Sequence, residues 1–373
     1  EEKIHAQKSV IASIFALVAL AFGTYFDILP YDPDSASKGA ALLVNAFGEK
    51  LYHPIFIQGV DWSVIAIIFG ASLFVDITSK SGLFTWIALK LTKKSAGNPL
   101  KLLWYYGTMT VIFSAVLNNV TAMIIVGSLS VVSLEKLNKR ELLLGFLLTE
   151  GLLTNIGGLL TLISSVPNII VGTAAGISFG RFFIIAAPFV LFTTIVTIWL
   201  AARSFKIMGF NSEEEKQEGL LSVQDFDETE GIQSNGFFVF SSIMTILFVL
   251  MIAFASMLPG LNKLGMAYVA LLFAGLMLIK FKADANQFYK AIDWDLLGFF
   301  IALFVFINVL EHAQVLALIG QGLSKIIGLG ESVGGSALLV CSSIFSSVTD
   351  NIPLAAMLAK ILDSQQTAGD SSL

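Results

Sequence analysis

The sequence predicts an all-α polytopic membrane protein with two inverted repeats, each containing a re-entrant helical hairpin and a discontinuous helix. Three observations support this fold class. Of the 373 residues, 56% are hydrophobic and 13% are charged, whereas a typical soluble domain has about 25% charged residues. Apolar runs near the ~20 residues that cross a bilayer recur along the chain. Two apolar stretches with polar centres, 111–120 and 343–352, also match each other without gaps.

The long apolar runs predict ordinary membrane-spanning helices and one interrupted helix. The predicted spans are 9–26, 62–79, 142–172, 178–202, 236–257, 265–281 and 294–311. The 142–172 span contains the pieces NIGG and SSVPN. Glycine weakens a helix, and Pro167 removes a backbone donor, so we expect this span to be broken in its middle.

The stretches 102–135 and 334–363 predict a different element. The first divides at Asn118 and Asn119 into arms of about sixteen residues, which is short for a full crossing of ~20 residues. Basic residues flank it on both sides, namely Lys90, Lys93, Lys94, Lys101, Lys136, Lys139 and Arg140. The positive-inside rule places both flanks in the cytoplasm. We therefore predict a re-entrant hairpin with its tip at the asparagines, although two ordinary spans would also return the chain to the same side.

An internal repeat appears when the sequence is shifted against itself by 232 residues. VDWSVIAIIFG at 60–70 then overlies IDWDLLGFFIA at 292–302, and VIFSAVLNNV overlies SIFSSVTDNI. Ser114 falls on Ser346, and Asn119 falls on Asn351. Counting spans from a cytoplasmic N-terminus gives the two halves opposite orientations. Inverted repeats of this kind are typical of secondary transporters with a site at the midplane.

The repeat also defines the expected domains. These are an N-terminal span and external loop (1–59), a first repeat (60–202), a cytoplasmic acidic linker (203–235) and a second, inverted repeat (236–373). The linker contains EEEKQEG and DFDETEG, a composition typical of a solvated connector, and we expect it to be dispensable. No counterpart of the interrupted helix and its following span comes after the second hairpin, so we expect the C-terminal part of the second repeat to be missing.

Several classes of function find no support in the sequence. The single Cys341 excludes an internal disulfide and a cysteine-based metal cluster. The three histidines are scattered, so we predict no catalytic residues, no metal and no cofactor. No phosphate-binding GxxxxGK[ST] loop indicates ATP hydrolysis, and no basic stripe with aromatics indicates a nucleic-acid partner.

The segments NIGGLLTLISSVPNIIVGTAAGISF, LNNVTAM and SVTDNIP resemble the ion transporter superfamily of the ArsB/NhaD type. This superfamily includes arsenite pumps, sodium–proton antiporters, the P protein, and citrate or dicarboxylate carriers. The resemblance runs from about residue 60 to the end and is closest to the arsenite efflux pumps. It implies inverted repeats with re-entrant hairpins. Many relatives have an acid in GDPPN where this chain has Ser165 in SSVPN, which weakens transfer of a cation-binding scheme.

The superfamily binds its substrate between hairpin tips and helix breaks. The resemblance therefore implies a substrate site formed by Asn118, Asn119, Thr121, Asn155, Asn168, Thr349, Asp350 and Asn351. Thr161 and Ser164 lie in the same break and are added as candidates, although small hydroxyl residues also allow close helix packing.

Acidic residues in apolar segments are functional candidates because an ionisable group in a membrane is costly. Asp350, at a predicted hairpin tip, and Glu150, before the helix break, are the predicted proton-coupling residues. Asp76 and Glu311 lie near span ends, where snorkelling or capping is at least as good an explanation.

These features predict a proton-coupled secondary transporter in the cytoplasmic (inner) membrane, whose partners are the lipid bilayer, protons and a small inorganic solute or ion. Arsenite or antimonite efflux is favoured because amides and hydroxyls suit a neutral solute and no lysine or arginine lies in the predicted site. In that case the resemblance implies a cytoplasmic ATPase subunit as a partner. A sodium–proton antiporter and an anion or dicarboxylate carrier remain alternatives, the latter because helix N-termini bind carboxylates. A channel is a further alternative.

Overall fold

The structure is a computed structural model. It describes residues 7–29, 43–44, 50–51, 57, 59–117, 119–210, 212–224, 226–229, 231–232, 234–255, 257–258, 260–281, 285–327, 329–348 and 351–368.

Helices make up most of the described residues. They are α1 Lys8–Tyr25, α2 Trp62–Lys80, α3 Leu83–Ser95, α4 Pro99–Val116, α5 Asn119–Lys136, α6 Leu143–Gly157, α7 Val166–Ala174, α8 Phe179–Ser204, α9 Glu213–Gln224, α10 Asn235–Phe254, α11 Leu261–Lys280, α12 Ala285–Ala291, α13 Trp294–His312, α14 Val315–Ile327, α15 Glu331–Val348 and α16 Asn351–Ala368. A short 3₁₀ helix, Arg140–Leu142, precedes α6.

Within the described residues, six helices are long and apolar enough to cross a membrane: α1, α2, α8, α10, α11 and α13. These six correspond to six predicted ordinary spans. The predicted interruption of 142–172 is also present, because α6 ends at Gly157 and α7 begins at Val166.

One small feature departs from the all-helical prediction. Leu43–Val44 and Lys50–Leu51 form an antiparallel pair of two-residue strands, with Leu43 opposite Leu51. The pair lies in the segment expected as an external loop. Valine is enriched in strands, but two-residue strands are too short for the sequence pattern to indicate.

The chain divides into two compact units. The first comprises Glu1–Ile65, Thr173–Gly176 and Asp293–Leu373, and the second comprises Ala66–Gly172 and Ile177–Ile292. In the first unit, α1 packs along α13. The Ser9 backbone N–H donates to Asp295 Oδ1 at 3.1 Å, and the Ser9 hydroxyl donates to the same atom.

The second unit has an aromatic core between α2, α10 and α11. The Phe74 ring lies 4.4 Å from the Phe248 ring and 5.9 Å from the Phe273 ring, measured between centroids. Beside them α2 approaches the backbone of α11 closely, since a Cβ at Gly70 would lie 2.7 Å from the Ala270 carbonyl carbon. A larger residue at position 70 would therefore separate these two helices.

The helices reproduce the 232-residue shift found in the sequence. Four consecutive helices, α2 to α5, have the same lengths and shifted bounds as α13 to α16. The first helix of each set also has the same cap. Asp61 Oδ1 accepts from the Val64 N–H at 3.2 Å, and Asp293 Oδ1 accepts from the Leu296 N–H at 2.9 Å.

The acidic segment 203–235 contains the helix α9, and part of it packs against other elements of the second unit. Val223 and Phe226 are buried. The Lys136 ammonium lies 4.0 Å from the Phe226 ring centroid, and Lys93 pairs with Glu228 at 3.5 Å. Exposed acidic side chains and two buried hydrophobic side chains, Val223 and Phe226, therefore occur together in this segment.

Candidate functional site

The hairpin formed by α4 and α5 places the first group of candidate residues. Asn98 Oδ1 accepts from the Lys101 N–H at 3.1 Å, and Pro99 occupies the first turn of α4, a favourable helix start. The helix stops at Val116 because Leu117 adopts an extended conformation (φ −92°, ψ 166°). The chain then restarts at Asn119 as α5. This turn is the predicted hairpin tip.

Hydrogen bonds join the tip to the end of α6. The Ser114 hydroxyl lies 2.7 Å from Asn119 Oδ1 and 2.6 Å from the Thr154 carbonyl oxygen, and it donates to these two acceptors. Asn119 Nδ2 donates to Asn155 Oδ1 at 3.3 Å. The tip therefore meets the helix break directly, and it brings together Asn119 and Asn155, two of the candidate site residues.

Side chains from the break satisfy carbonyl groups that the interrupted helix leaves without partners. Ser164 Oγ donates to the Gly158 and Thr161 carbonyls, at 2.7 Å each. Asn168 Nδ2 donates to the same two carbonyls at 2.8 and 3.1 Å. Thr161 Oγ1 donates across to the Ala115 carbonyl at 2.5 Å. The conformation of the break is thus stabilised by hydrogen bonds from Thr161, Ser164 and Asn168.

Two glycines allow the tip to approach the break. A Cβ at Gly157 would lie 2.5 Å from the Val111 carbonyl oxygen, and one at Gly158 would lie 3.0 Å from Asn119 Oδ1. The first of these distances excludes any side chain without backbone movement. The NIGG motif is therefore required for contact between the hairpin and the break.

The accessible polar atoms of this cluster are amides. Asn155 is exposed, Asn119 and Thr121 are half-buried, and Thr161 and Ser164 are buried. The hydrogen bond between Asn119 and Asn155 is long for its type, as is the 3.4 Å bond from Asn155 Nδ2 to the Gly151 carbonyl. A ligand can replace such bonds at little cost. In addition, α5 and α7 both begin at the cluster, and a helix N-terminus carries a partial positive charge.

The second hairpin repeats the local geometry of the first. The Ser346 hydroxyl donates to Asn351 Oδ1, the same bond that Ser114 makes to Asn119. Asn351 is exposed. The other predicted residues of the two tips, Asn118, Thr349 and Asp350, lie outside the described residues.

Three of the four acids of the apolar segments lie among the described residues, and their environments differ. Asp76 pairs with Lys80 at 2.9 Å, one turn along α2, and Glu311 pairs with Lys360 at 3.4 Å. These ion pairs support the structural explanation for both acids. Glu150 differs because it is fully buried, makes no ion pair among the described residues, and accepts at Oε1 from the Ser130 hydroxyl.

Some polar residues of this unit could not be assigned to the site from the sequence. Ser114 was noted in the repeat but was not predicted as part of the site. The identical serine at 346 was the available signal. Tyr106 and its neighbours on α3 and α5 were also missed, because their proximity depends on tertiary packing. Among the described residues there is no cluster of three or more potential metal ligands.

Comparisons with known proteins agree with a transport function. A family model described as a citrate transporter (CitMHS) matches residues 6–372. The 46 kDa membrane protein of Mycobacterium leprae is 28% identical over 332 residues, covering 88% of this chain and 75% of the relative. An uncharacterized transporter of Mycobacterium tuberculosis is 27% identical over 314 residues, covering 83% and 70%.

The human P protein is also similar, at 23% identity over 437 residues, covering 97% of this chain and 51% of the P protein. The chain thus spans about half of that longer relative. The resemblance to the wider superfamily is confirmed, and the family match includes the tip, the break and both repeats. The chain belongs to the CitMHS citrate transporter family and is a multi-pass membrane transporter.

Proposed function

We propose that this protein carries a small carboxylate anion across the cytoplasmic membrane by proton-coupled alternating access. The observation that carries the proposal is the polar cluster at Asn119 and Asn155, where two helices begin and accessible amides face a prospective ligand. Helix N-termini bind carboxylates through backbone N–H groups and the helix dipole, so a basic side chain is not required. The family description, citrate transporter, agrees with this substrate class.

The depth of the cluster suits a transporter site. The helix α6 has 15 residues and begins next to the basic segment 139–140. At about 1.5 Å per residue, its end at Gly157 lies roughly 22 Å along the helix axis from that segment. Broken helices at such a depth are tolerated where they line a cavity. We therefore infer that the α4–α5 hairpin is re-entrant and that its tip reaches the interior of the membrane.

The matched helices of the two halves support a symmetric mechanism. We infer that the repeats are inverted and that both tips, at Asn119 and at Asn351, bind substrate together with Thr121 and Thr349. Alternating access then follows from the exchange of two related conformations. Asp350 and Glu150 would carry the coupled protons, because Asp350 occupies the position that Asn118 holds in the first repeat.

A charge substitution at Asn155 tests the substrate class. Asn155→Asp places a negative charge on an exposed side chain at the cluster, so the fold should tolerate it. We expect it to abolish uptake of citrate or a dicarboxylate in proteoliposomes, because like charges repel in a site of low dielectric. Ser222→Ala, at a half-buried position on α9, is the control and should retain the parental rate. Undiminished carboxylate uptake by Asn155→Asp would contradict the proposal.

Arsenite efflux remains a second candidate because no lysine or arginine lies among the described residues of the cluster. Asn155→Asp also distinguishes carboxylate transport from arsenite efflux and from sodium–proton antiport. Neutral trihydroxy-arsenic would be little affected by Asn155→Asp, and a sodium–proton antiporter would bind its cation at least as well. The family match gives no support to arsenite as the substrate or to a cytoplasmic ATPase partner, so we do not propose that partner.

A further inference from the structure

Glu150 lies in surroundings that suit a proton and not a metal cation. Oε1 accepts from Ser130, whereas Oε2 is buried without a hydrogen-bond partner among the described residues. Oε2 faces Gly127, where a Cβ would lie 4.0 Å from Oε2, 3.5 Å from Met123 Cε and 3.3 Å from Leu147 Cδ2. A bound metal cation requires several oxygen ligands, whereas Ser130 is the one hydrogen-bond partner of Glu150 among the described residues, and none of their side chains forms with it a cluster of three potential metal ligands.

A line of buried hydroxyls leads from the neighbourhood of Glu150 towards the basic end of the unit. The Tyr106 hydroxyl lies 2.7 Å from Ser133 Oγ and 2.5 Å from Thr92 Oγ1. The Thr92 hydroxyl donates to the Ala88 carbonyl at 2.9 Å. All three hydroxyl residues are buried. With Thr92 donating to Ala88, Tyr106 donates to Thr92, and Ser133 donates to Tyr106.

The line of hydroxyls approaches Ser130, the partner of Glu150, at one end and basic residues of α3 at the other. Ser130 and Ser133 lie three residues apart on α5, where side chains share a face with Cβ atoms about 5–6 Å apart. The relay requires rotation of these hydroxymethyl groups to bring the two oxygens within hydrogen-bonding distance. At the other end, Thr92 is followed by Lys93 and Lys94 in the last turn of α3, the end that the positive-inside rule assigns to the cytoplasm.

The charged groups of the neighbouring helices do not neutralise Glu150. On α4, the charged residue is Lys101, which is exposed in the first turn of the helix. Lys136 at the end of α5 lies over the Phe226 ring, and Arg203 on α8 lies over the Trp199 ring, 5.9 Å from its centroid. Glu135 and Arg140 pair with each other. Among the described residues, the Ser130 hydroxyl is therefore the group that stabilises the Glu150 carboxylate.

We propose that Thr92, Tyr106, Ser133 and Ser130 relay protons between the cytoplasmic end of this unit and Glu150. In each transfer a hydroxyl accepts one proton from its neighbour and passes its own to the next. For transfer towards Glu150, Thr92 turns from the Ala88 carbonyl, takes a proton from the cytoplasmic end and donates its own to Tyr106; Tyr106 then donates to Ser133, Ser133 to Ser130, and Ser130 to Glu150. After the hydroxyls turn back, each again carries one proton, and the Glu150 carboxylate has gained one. On release the same steps run in reverse. The inference rests on the proposed function, because it requires a proton-coupled carrier.

Tyr106→Phe tests the relay because it removes one oxygen and keeps the ring. In proteoliposomes we expect uptake of citrate driven by a pH gradient to fall roughly tenfold or more, as for the loss of a positioned proton-transfer group. Exchange of internal for external citrate requires no net proton movement and should stay at the parental rate. Tyr105→Phe is the matched control, since Tyr105 is the adjacent tyrosine and lies beneath Lys94 at the end of the unit. It should retain both rates.

Thr92→Val provides an independent variant of similar shape and should show the same separation of the two rates. If Tyr106→Phe fails to fold, Thr92→Val by itself tests the relay. Parental proton-driven uptake in either folded variant would overturn the relay and leave the proposed function intact. An equal loss of exchange and proton-driven uptake would also overturn it, because that result indicates a structural role. Absence of proton-driven carboxylate uptake in the parent chain would overturn both proposals.

Discussion

Each of the two tips is flanked by a serine and an asparagine that form a hydrogen bond with each other. Ser114 and Asn119 are repeated as Ser346 and Asn351, and both pairs form the same hydrogen bond. The identity of the residues was readable from the sequence. Their roles were not, because the Ser114 hydroxyl also bonds to Thr154, forty residues further on. Contacts between distant segments depend on packing, which no local pattern specifies.

Asp350 gives a prediction at the scale of a single residue. It replaces an amide of the first repeat with a group that can carry a proton. Asp350→Asn is nearly isosteric and restores the residue type found at position 118, so we expect normal insertion and folding. Proton-driven accumulation should be lost while citrate exchange persists, as measured in proteoliposomes with and without a pH gradient. Parental accumulation by this variant would leave Glu150 as the only coupling residue among the two candidates.

Among the elements, the long spans and the break at 157–166 were predictable because length, hydropathy and glycine or proline positions determine them. The helix α9 was not predicted. Its sequence is strongly acidic, and the large hydrophobic side chains that are buried here, Val223 and the following Phe226, are few and irregularly spaced. Two buried side chains do not create a periodic pattern that composition can reveal. Local charge indicated solvent exposure, whereas the tertiary contacts with Lys93 and Lys136 determine the packing of this segment.

Phe226 gives a prediction about this segment. Its side chain is 2% exposed, whereas Leu221 on the neighbouring helix is 64% exposed. Phe226→Ala should lower the free energy of unfolding by about 3–5 kcal/mol, as for other large-to-small substitutions in a core. Leu221→Ala, the control, should change it little. Thermal unfolding of both purified variants in detergent measures the difference, and equal midpoints would show that the segment is a solvated connector after all.

For the whole molecule, the matched bounds of α2–α5 and α13–α16 make the repeat visible without any assumption about orientation. The sequence predicted both the shift and the residues that it pairs. Orientation followed only from charge bias and span counting, which depend on the bilayer rather than on contacts within the chain. An experiment with an intact membrane is therefore required to establish that the repeats are inverted.

Thiol labelling gives that test, because Cys341 is the single cysteine and Cys341→Ser provides a clean background. Lys94 and Lys325 are exposed residues at the ends of the matched helices α3 and α14. In inverted repeats, Lys94→Cys should react with a membrane-impermeant reagent only from the cytoplasmic side, and Lys325→Cys only from the outside. Labelling of both positions from the same side would show that the two halves have the same orientation.

The central claim is that this transporter moves a carboxylate together with protons. Its most direct test is flux into proteoliposomes of the parent chain, offered citrate, a dicarboxylate, arsenite and Na⁺ separately, with a pH-sensitive dye inside. We predict carboxylate uptake that rises with an inward proton gradient and is accompanied by acidification of the lumen. Arsenite or Na⁺ flux coupled to protons, without carboxylate uptake, would contradict the account.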